Sequence, residues 1–267
     1  MPFIHNRRLR ALGRRVPGLA NLYGGAKGFV ILRRGVAQID YPGARIRIRA
    51  DTEEIIHLRL RPVAKEPWTV DWIERNLREG DVLYDIGANV GVYALIAATV
   101  APRATIVAVE PGYATFASLC DNLLLNGIAE RVVPLPLVLG AETHLGSLSY
   151  RDVSAGAAIH ELDSEQSGAY RQPVLVFALD DLLERFGLPA PTLVKLDVDG
   201  AEADVLAGAR QTLQRPELRS LIVEVENAVT DPVLRELESA GFTLVRRIDD
   251  RYGEPLPGLW YGIFERT

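Results

Sequence analysis

The sequence predicts an α/β fold: a Rossmann-like, seven-stranded, mostly parallel sheet with a small N-terminal α/β appendage. Three observations carry that expectation. Val82 to Ile86 form a short apolar run bounded by Gly80-Asp81 and Gly87, the pattern of a buried parallel strand. Gly87 and Gly91 then open Val92 to Val100, an Ala-rich apolar stretch that reads as a helix. Thr105 to Val109 repeats the strand pattern and ends in an acid, Glu110. Strand, glycine turn and helix make the first unit of a doubly wound nucleotide-binding sheet.

The glycine turn also discriminates between ligands. A dinucleotide fingerprint G-x-G-x-x-G needs glycines at 85, 87 and 90, where this chain has Asp85, Gly87 and Val90. An acid at the strand end repels a pyrophosphate but can pair with an ammonium. S-adenosylmethionine carries an ammonium, a carboxylate and a sulfonium and no phosphate, so Asp85, Gly87, Ala88, Asn89 and Gly91 are read as its binding turn. Glu110 lies 19 residues past Gly91, where a carboxylate can accept both ribose hydroxyls.

At 267 residues and 48% hydrophobic, the chain has room for a well-cored α/β domain. It divides into an appendage, residues 1–66, and a core domain, residues 67–267. No apolar run approaches the ~18 residues of a membrane span. Nor does the start have the apolar core of a signal peptide, so a cytoplasmic location is expected. The single cysteine, Cys120, fits a reducing compartment and reads as a small core residue. Net charge is −5, unevenly spread: residues 1–50 hold eleven basic residues and one acid. Such an arm can bind nucleic acid, but only three of the thirty basic residues are lysines, as in simple arginine-rich composition.

In chain order, residues 1–30 are glycine-rich and basic with weak helical pattern, and read as a short basic helix followed by an irregular segment. Val36 to Asp40, a turn at Tyr41-Pro42-Gly43, and Ala44 to Arg49 read as a hairpin with Arg45, Arg47 and Arg49 on one face. Asp51-Thr52-Glu53-Glu54 is a cap for a helix through about Leu60. Pro67-Trp68 opens a helix that ends before Gly80. Tyr113 to Asn126 is a helix stopped by Asn126-Gly127. Val132 to Leu139 is the third strand, placed near an edge by Pro134 and Pro136. Leu148 to Tyr150 is a hairpin strand. Arg151 to Pro173, rich in small and polar residues, reads as a lid or binding loop. Val174 to Phe177 is a strand, Leu179 to Phe186 a helix, and Thr192 to Leu196 the fourth central strand. Ala203 to Leu213 is a helix, Leu221 to Glu226 the fifth strand, and Pro232 to Ala240 a helix. Phe242 to Arg247 and Leu259 to Phe264 close the sheet with an antiparallel pair.

Three segments, Asp85-Ile86-Gly87-Ala88-Asn89-Val90-Gly91, Val109-Glu110-Pro111, and Lys195-Leu196-Asp197-Val198-Asp199-Gly200-Ala201-Glu202, resemble the FkbM family of S-adenosylmethionine-dependent methyltransferases. The resemblance runs from about Pro67 to Glu226, and the third segment is its most specific part. It implies a class I methyltransferase fold and O-methylation of a small-molecule or glycan hydroxyl, often on a sugar or natural product. It also brings Pro111 into the cofactor site. The family often has an acid just after the glycine ending the third strand; here Ala141 and Glu142 follow Gly140, leaving Val138 and Leu139 to flank the adenine.

Asp197, at the carboxyl end of a central strand, is placed to touch the methionine end of the cofactor, to orient the acceptor hydroxyl or to take its proton. Lys195 lies two residues earlier in an apolar strand and needs a buried partner, Asp197 or Glu224. His160, in the 151–173 loop, is of the residue type suited to a general base at neutral pH, and His144 is the other histidine near the expected acceptor pocket. Asp197 with Glu226-Asn227 could hold Mg²⁺ through oxygen ligands, but with no third carboxylate in place no metal ligand is assigned. Two rival readings are a nucleic-acid methyltransferase using the basic arm and a non-catalytic S-adenosylmethionine-binding protein. The core is acidic and lacks a base-methylating motif, which disfavours nucleic acid. Homo-oligomerisation is left open.

Overall fold

Strand β3 (Val82–Ile86) is the centre of the molecule, and its alternation decides what lies on each side. Leu83 faces one apolar layer, with Trp72, Ile73, Leu95 and Ile96; Tyr84 and Ile86 face the other, with Val107, Leu206 and Trp260. Each such buried side chain contributes ~1.5–3 kcal/mol. In this computed structural model the residues described are 35–150, 154–156, 160–162, 170–251 and 254–267.

Two short strands, β1 (Val36–Gln38) and β2 (Arg47–Arg49), form the expected antiparallel hairpin, with Arg45, Arg47 and Arg49 exposed. The main sheet uses β4 (Thr105–Val109), β5 (Val132–Leu135), β10 (Leu193–Leu196), β11 (Ser220–Glu226), β12 (Phe242–Ile248) and β15 (Leu259–Arg266). Its order is β12-β15-β11-β10-β3-β4-β5, with β15 antiparallel to both its neighbours and the other pairings parallel. The seven-stranded, mostly parallel Rossmann-like sheet is therefore present. The chain moves outward from β3 through β4 to β5, then returns to lay β10 on the opposite side of β3. Ligands bind at the carboxyl ends of strands where order reverses in this way.

A second, four-stranded sheet was not anticipated. It has the order β6-β9-β7-β8, from β6 (Val138–Leu139), β7 (His144–Tyr150), β8 (His160–Leu162) and β9 (Tyr170–Phe177). The expected strand over 132–139 breaks in two, because Pro134 and Pro136 lack the N–H that a continuous ladder needs. The expected 151–173 loop is partly strand: Tyr150 pairs with both His160 and Tyr170. Gln172, Val174 and Val176 turn inward between more exposed Arg171, Pro173 and Leu175, a period-two pattern masked by the polar residues at its start. A small ribbon of β13 (Asp250–Arg251) and β14 (Glu254–Pro255) precedes β15.

Two helices also differ from expectation. The helix expected over 51–60 is a single π-helical turn, Ile55–Arg59. The one expected over 203–213 is split into Glu202–Ala207 and Arg210–Leu213. At the break, a Cβ on Gly208 would lie 2.0 Å from the Gly140 carbonyl oxygen, so glycine admits the backbone of the second sheet. The hairpin is tied to the Tyr113–Leu125 helix: Arg49 N–H donates to Asn122 Oδ1 at 2.7 Å and Arg47 N–H to Asn126 Oδ1 at 3.0 Å. Among the described residues no helix is long and apolar enough to cross a membrane.

Candidate active site

At the carboxyl end of β3, Gly87 has φ +76°, and a Cβ there would lie 1.7 Å from the Asp197 carbonyl oxygen. Only glycine lets the tips of β3 and β10 meet so closely. The Gly87 and Ala88 N–H groups donate to the Val109 carbonyl at 3.0 and 2.9 Å, which joins the turn to β4. Asn89 follows in the left-handed region at φ 49°, and its N–H donates to Glu110 Oε2 at 2.9 Å. Glu110 Oε1 accepts from the Gly112 N–H at 2.8 Å. Both oxygens are thus fixed by one backbone donor each, with lone pairs left for two further donors. Burial pushes the Glu110 carboxyl up to about 7, against the pull of those N–H groups.

A cavity of about 770 Å³ opens over these strand tips, within the range of small-molecule sites. Of the expected cofactor residues, Gly87, Asn89, Glu110, Pro111, Val138 and Leu139 line it, and so does Asp197. Asp85, Ala88 and Gly91 do not. Alternation turns Asp85 onto the Leu83 face of β3, fully buried, with Lys195 opposite it in register. The ammonium that meets Asp85 is therefore the one on Lys195, at 3.5 Å. Ala88 is part of the apolar layer, and Gly91 begins the Val92–Val100 helix. His144 lines the cavity; His160 is placed as a backbone position on β8, its side chain outside the described residues.

Lys195 is buried with its Nζ 3.0 Å from Asp197 Oδ2. Glu224, the other expected partner, instead accepts a hydrogen bond from the Tyr261 hydroxyl. Burial alone would raise the Asp197 carboxyl, but the charges of Lys195, Lys65 and Arg59 hold it below the ordinary range. Glu224 goes the other way: burial, reinforced by the charge of Asp197, pushes it up to about 8 despite the Tyr261 bond. Two carboxyls lining one cavity thus differ in charge state near neutral pH.

Asp199, at φ 53°, and Gly200, at φ 98°, complete the rim after Asp197. Glu202 Oε1 holds this turn by accepting the Val198 and Gly200 N–H groups at 3.3 and 3.1 Å. Glu226 is outside the cavity lining and packs against Gly200. No group of three or more His, Cys, Asp or Glu among the described residues could hold a metal ion. The sequence missed Arg59, Lys65 and Glu224 as cavity residues. Only Glu224 carried a signal, a lone charge between Val223 and Val225 in an apolar strand.

Fold and cavity together define a class I S-adenosylmethionine-dependent methyltransferase. The donor set fits that cofactor: an oriented, buried carboxylate for a diol, and apolar Leu137, Val138, Leu139 and Val176 for a flat ring. Residues 85–244 match the family described as the Methyltransferase FkbM domain. The hexuronic acid methyltransferase AglP of Haloferax volcanii is 30% identical over 198 residues, 74% of this chain and 76% of that protein. The 31-O-demethyl-FK506 methyltransferase FkbM of Streptomyces tacrolimicus is 28% identical over 200 residues, 65% of this chain and 76% of its own length. The chain belongs to the FkbM methyltransferase family.

Proposed function

We propose that the protein transfers a methyl group to a hydroxyl oxygen of a sugar or natural-product acceptor. The observation that carries this reading is the single cavity shared by Glu110, Asp197 and Glu224. The acceptors named for AglP and FkbM, a hexuronic acid and a demethylated natural product, support the same class. Bound S-adenosylmethionine would supply an electrophilic methyl carbon on a sulfonium, so the protein's task is alignment and proton removal. Glu110 would accept hydrogen bonds from the ribose hydroxyls, Gly87, Asn89 and Pro111 line the same cavity, and Val138 and Leu139 would flank the adenine. Asp197, kept ionised by Lys195, accepts a hydrogen bond from the acceptor hydroxyl and aims its lone pair. Glu224, whose basicity is raised by burial, takes the proton; His160, on the wall strand β8, is the second candidate base. Leu58, Arg59 and Lys65 line the cavity, which supports a role for the segment before residue 67 in covering the acceptor. No step calls on Mg²⁺.

The test is incubation with S-adenosylmethionine and a panel of hexuronic acids, neutral sugars and polyketide alcohols, with products read by mass spectrometry and NMR. A new methyl ether establishes the reading. Methylation only at nitrogen or on nucleic acid, or cofactor binding with no transfer to any acceptor class, would overturn it.

A further inference from the structure

Two cationic side chains line the cavity among the described residues, Arg59 and Lys65, and they are engaged differently. Lys65 Nζ lies 2.7 Å from the buried Glu66 carboxylate. Arg59 donates from Nε and Nη2 to the Gly156 carbonyl, at 3.3 and 3.1 Å. That acceptor is neutral: it orients the guanidinium without matching its charge. No carboxylate among the described residues stands within ion-pair distance of Arg59.

The seat of Arg59 is built from several directions. Thr52 Oγ1 donates to the Ala155 carbonyl at 2.8 Å, and the Gly156 N–H donates to Thr115 Oγ1 at 3.3 Å. Gly156 has φ +86°, and a Cβ there would lie 2.7 Å from Ile55 Cγ1, so this carbonyl is wedged against the π-helical turn that carries Arg59. A guanidinium has five N–H donors in a planar fork. With the Nε/Nη2 edge on Gly156, the Nη1/Nη2 edge keeps the geometry that takes a carboxylate with two parallel hydrogen bonds. The positive charge of Arg59 draws down the carboxyls of both Glu110 and Asp197, so it is felt at the ribose end and at the acceptor end alike. Elsewhere the lining carries Glu142, Asp197, Asp199 and Asp204, whose negative charge repels an anion.

We propose that Arg59 is the carboxylate-binding residue of this cavity, using its Nη1/Nη2 edge while Gly156 holds the other. The inference rests on the methyltransferase reading and deepens it. Two sources can supply the carboxylate: the methionine moiety of the cofactor or an acidic sugar acceptor.

The experiment compares wild-type protein with Arg59→Gln and Arg59→Lys, each checked for folding by circular dichroism. Calorimetry measures S-adenosylhomocysteine and 5′-methylthioadenosine, which shares the nucleoside and sulfur but lacks the carboxylate. Kinetics measure KM for an unmethylated uronic acid acceptor and its neutral hexose counterpart. If the cofactor is the source, Arg59→Gln weakens S-adenosylhomocysteine roughly ten- to a hundredfold and leaves methylthioadenosine unchanged. Arg59→Lys, which keeps the charge without the fork, falls between. If the acceptor is the source, S-adenosylhomocysteine is unaffected and KM rises for the uronic acid alone. Equal losses for charged and neutral members of both pairs, or no loss in any, overturn the proposal. Wild-type protein that binds neither nucleoside brings down the methyltransferase reading beneath it, an outcome distinct from any Arg59 result.

Discussion

The Lys195 ammonium lies 3.0 Å from the carboxylate of Asp197, two residues further along the chain, where β10 ends at the cavity. Because Lys195 also faces Asp85 at 3.5 Å, one buried cation compensates two acids. Removing it leaves the buried Asp85 without its ion pair and Asp197 with only the more distant charges of Lys65 and Arg59. Lys195→Met is therefore expected to destabilise the fold by about 3–5 kcal/mol, the cost of breaking a buried pair from one side. Urea unfolding measures it, and a loss below ~1 kcal/mol would show that the two acids are neutral without the lysine.

Glu110→Ala is expected to weaken S-adenosylmethionine binding by ~1–3 kcal/mol, through lost charge-assisted contacts to the ribose. The pH dependence has a definite sign. The ionised carboxylate is the one that accepts two hydroxyls, and burial lifts its pKa to about 7. Affinity should accordingly fall as pH drops through that value, and Glu110→Gln should flatten the dependence. Calorimetry between pH 6 and pH 8 decides it; an unchanged affinity in Glu110→Ala refutes the ribose assignment.

The main sheet was legible in the sequence because its strands are buried on both faces and so read as bare apolar runs between glycines. Glu110 was legible for a related reason: an acid directly after such a run stands at a strand tip. Asp85 shows where that logic stops. Its place in the motif was plain, but which face of β3 it occupies depends on alternation within a strand apolar on both sides, and the sequence does not mark that. The second sheet was hidden by its edges, where Tyr170, Arg171 and Gln172 look like loop residues. Arg59 is held at the cavity by a tertiary contact with Gly156, itself tied to Thr115, both far along the chain, and leaves no local pattern.

Glu224→Gln is expected to lower kcat by roughly 10²–10⁴-fold, the usual range for loss of a general base, with cofactor affinity preserved. In the wild type, kcat should rise with pH through about 8 as Glu224 ionises, and the variant should lose that limb. The groups acting on Glu224 are Asp197 just past β10, Tyr261 on β15, and Lys65 and Glu66 at the end of the Pro62–Lys65 helix. Of these, Tyr261 donates to Glu224 and lowers its pKa, so Tyr261→Phe should move the rising limb to higher pH. A limb that survives in Glu224→Gln assigns the proton to another group, and His160→Gln is then the informative variant.

Stability of the ligand-free protein should decline as pH rises from mildly acidic to mildly alkaline. Glu110 and Glu202 are raised from 4.5 to about 7 in the folded protein and Glu224 from 4.5 to about 8, in each case chiefly by burial. Between the unfolded and folded values, the folded state holds protons that the unfolded chain has released. Its stability therefore falls with pH across that window and levels off above it. Asp81 and Asp197 act in the opposite direction, since their folded values are lowered and their contribution is lost only below the ordinary carboxylate range. The maximum should accordingly lie near the acid end of the window rather than at neutral pH. Melting temperature measured across the window tests this, and Glu224→Gln should reduce the slope at its upper end. A flat profile up to about pH 8 would mean that these carboxyls are already ionised and solvated in the folded protein.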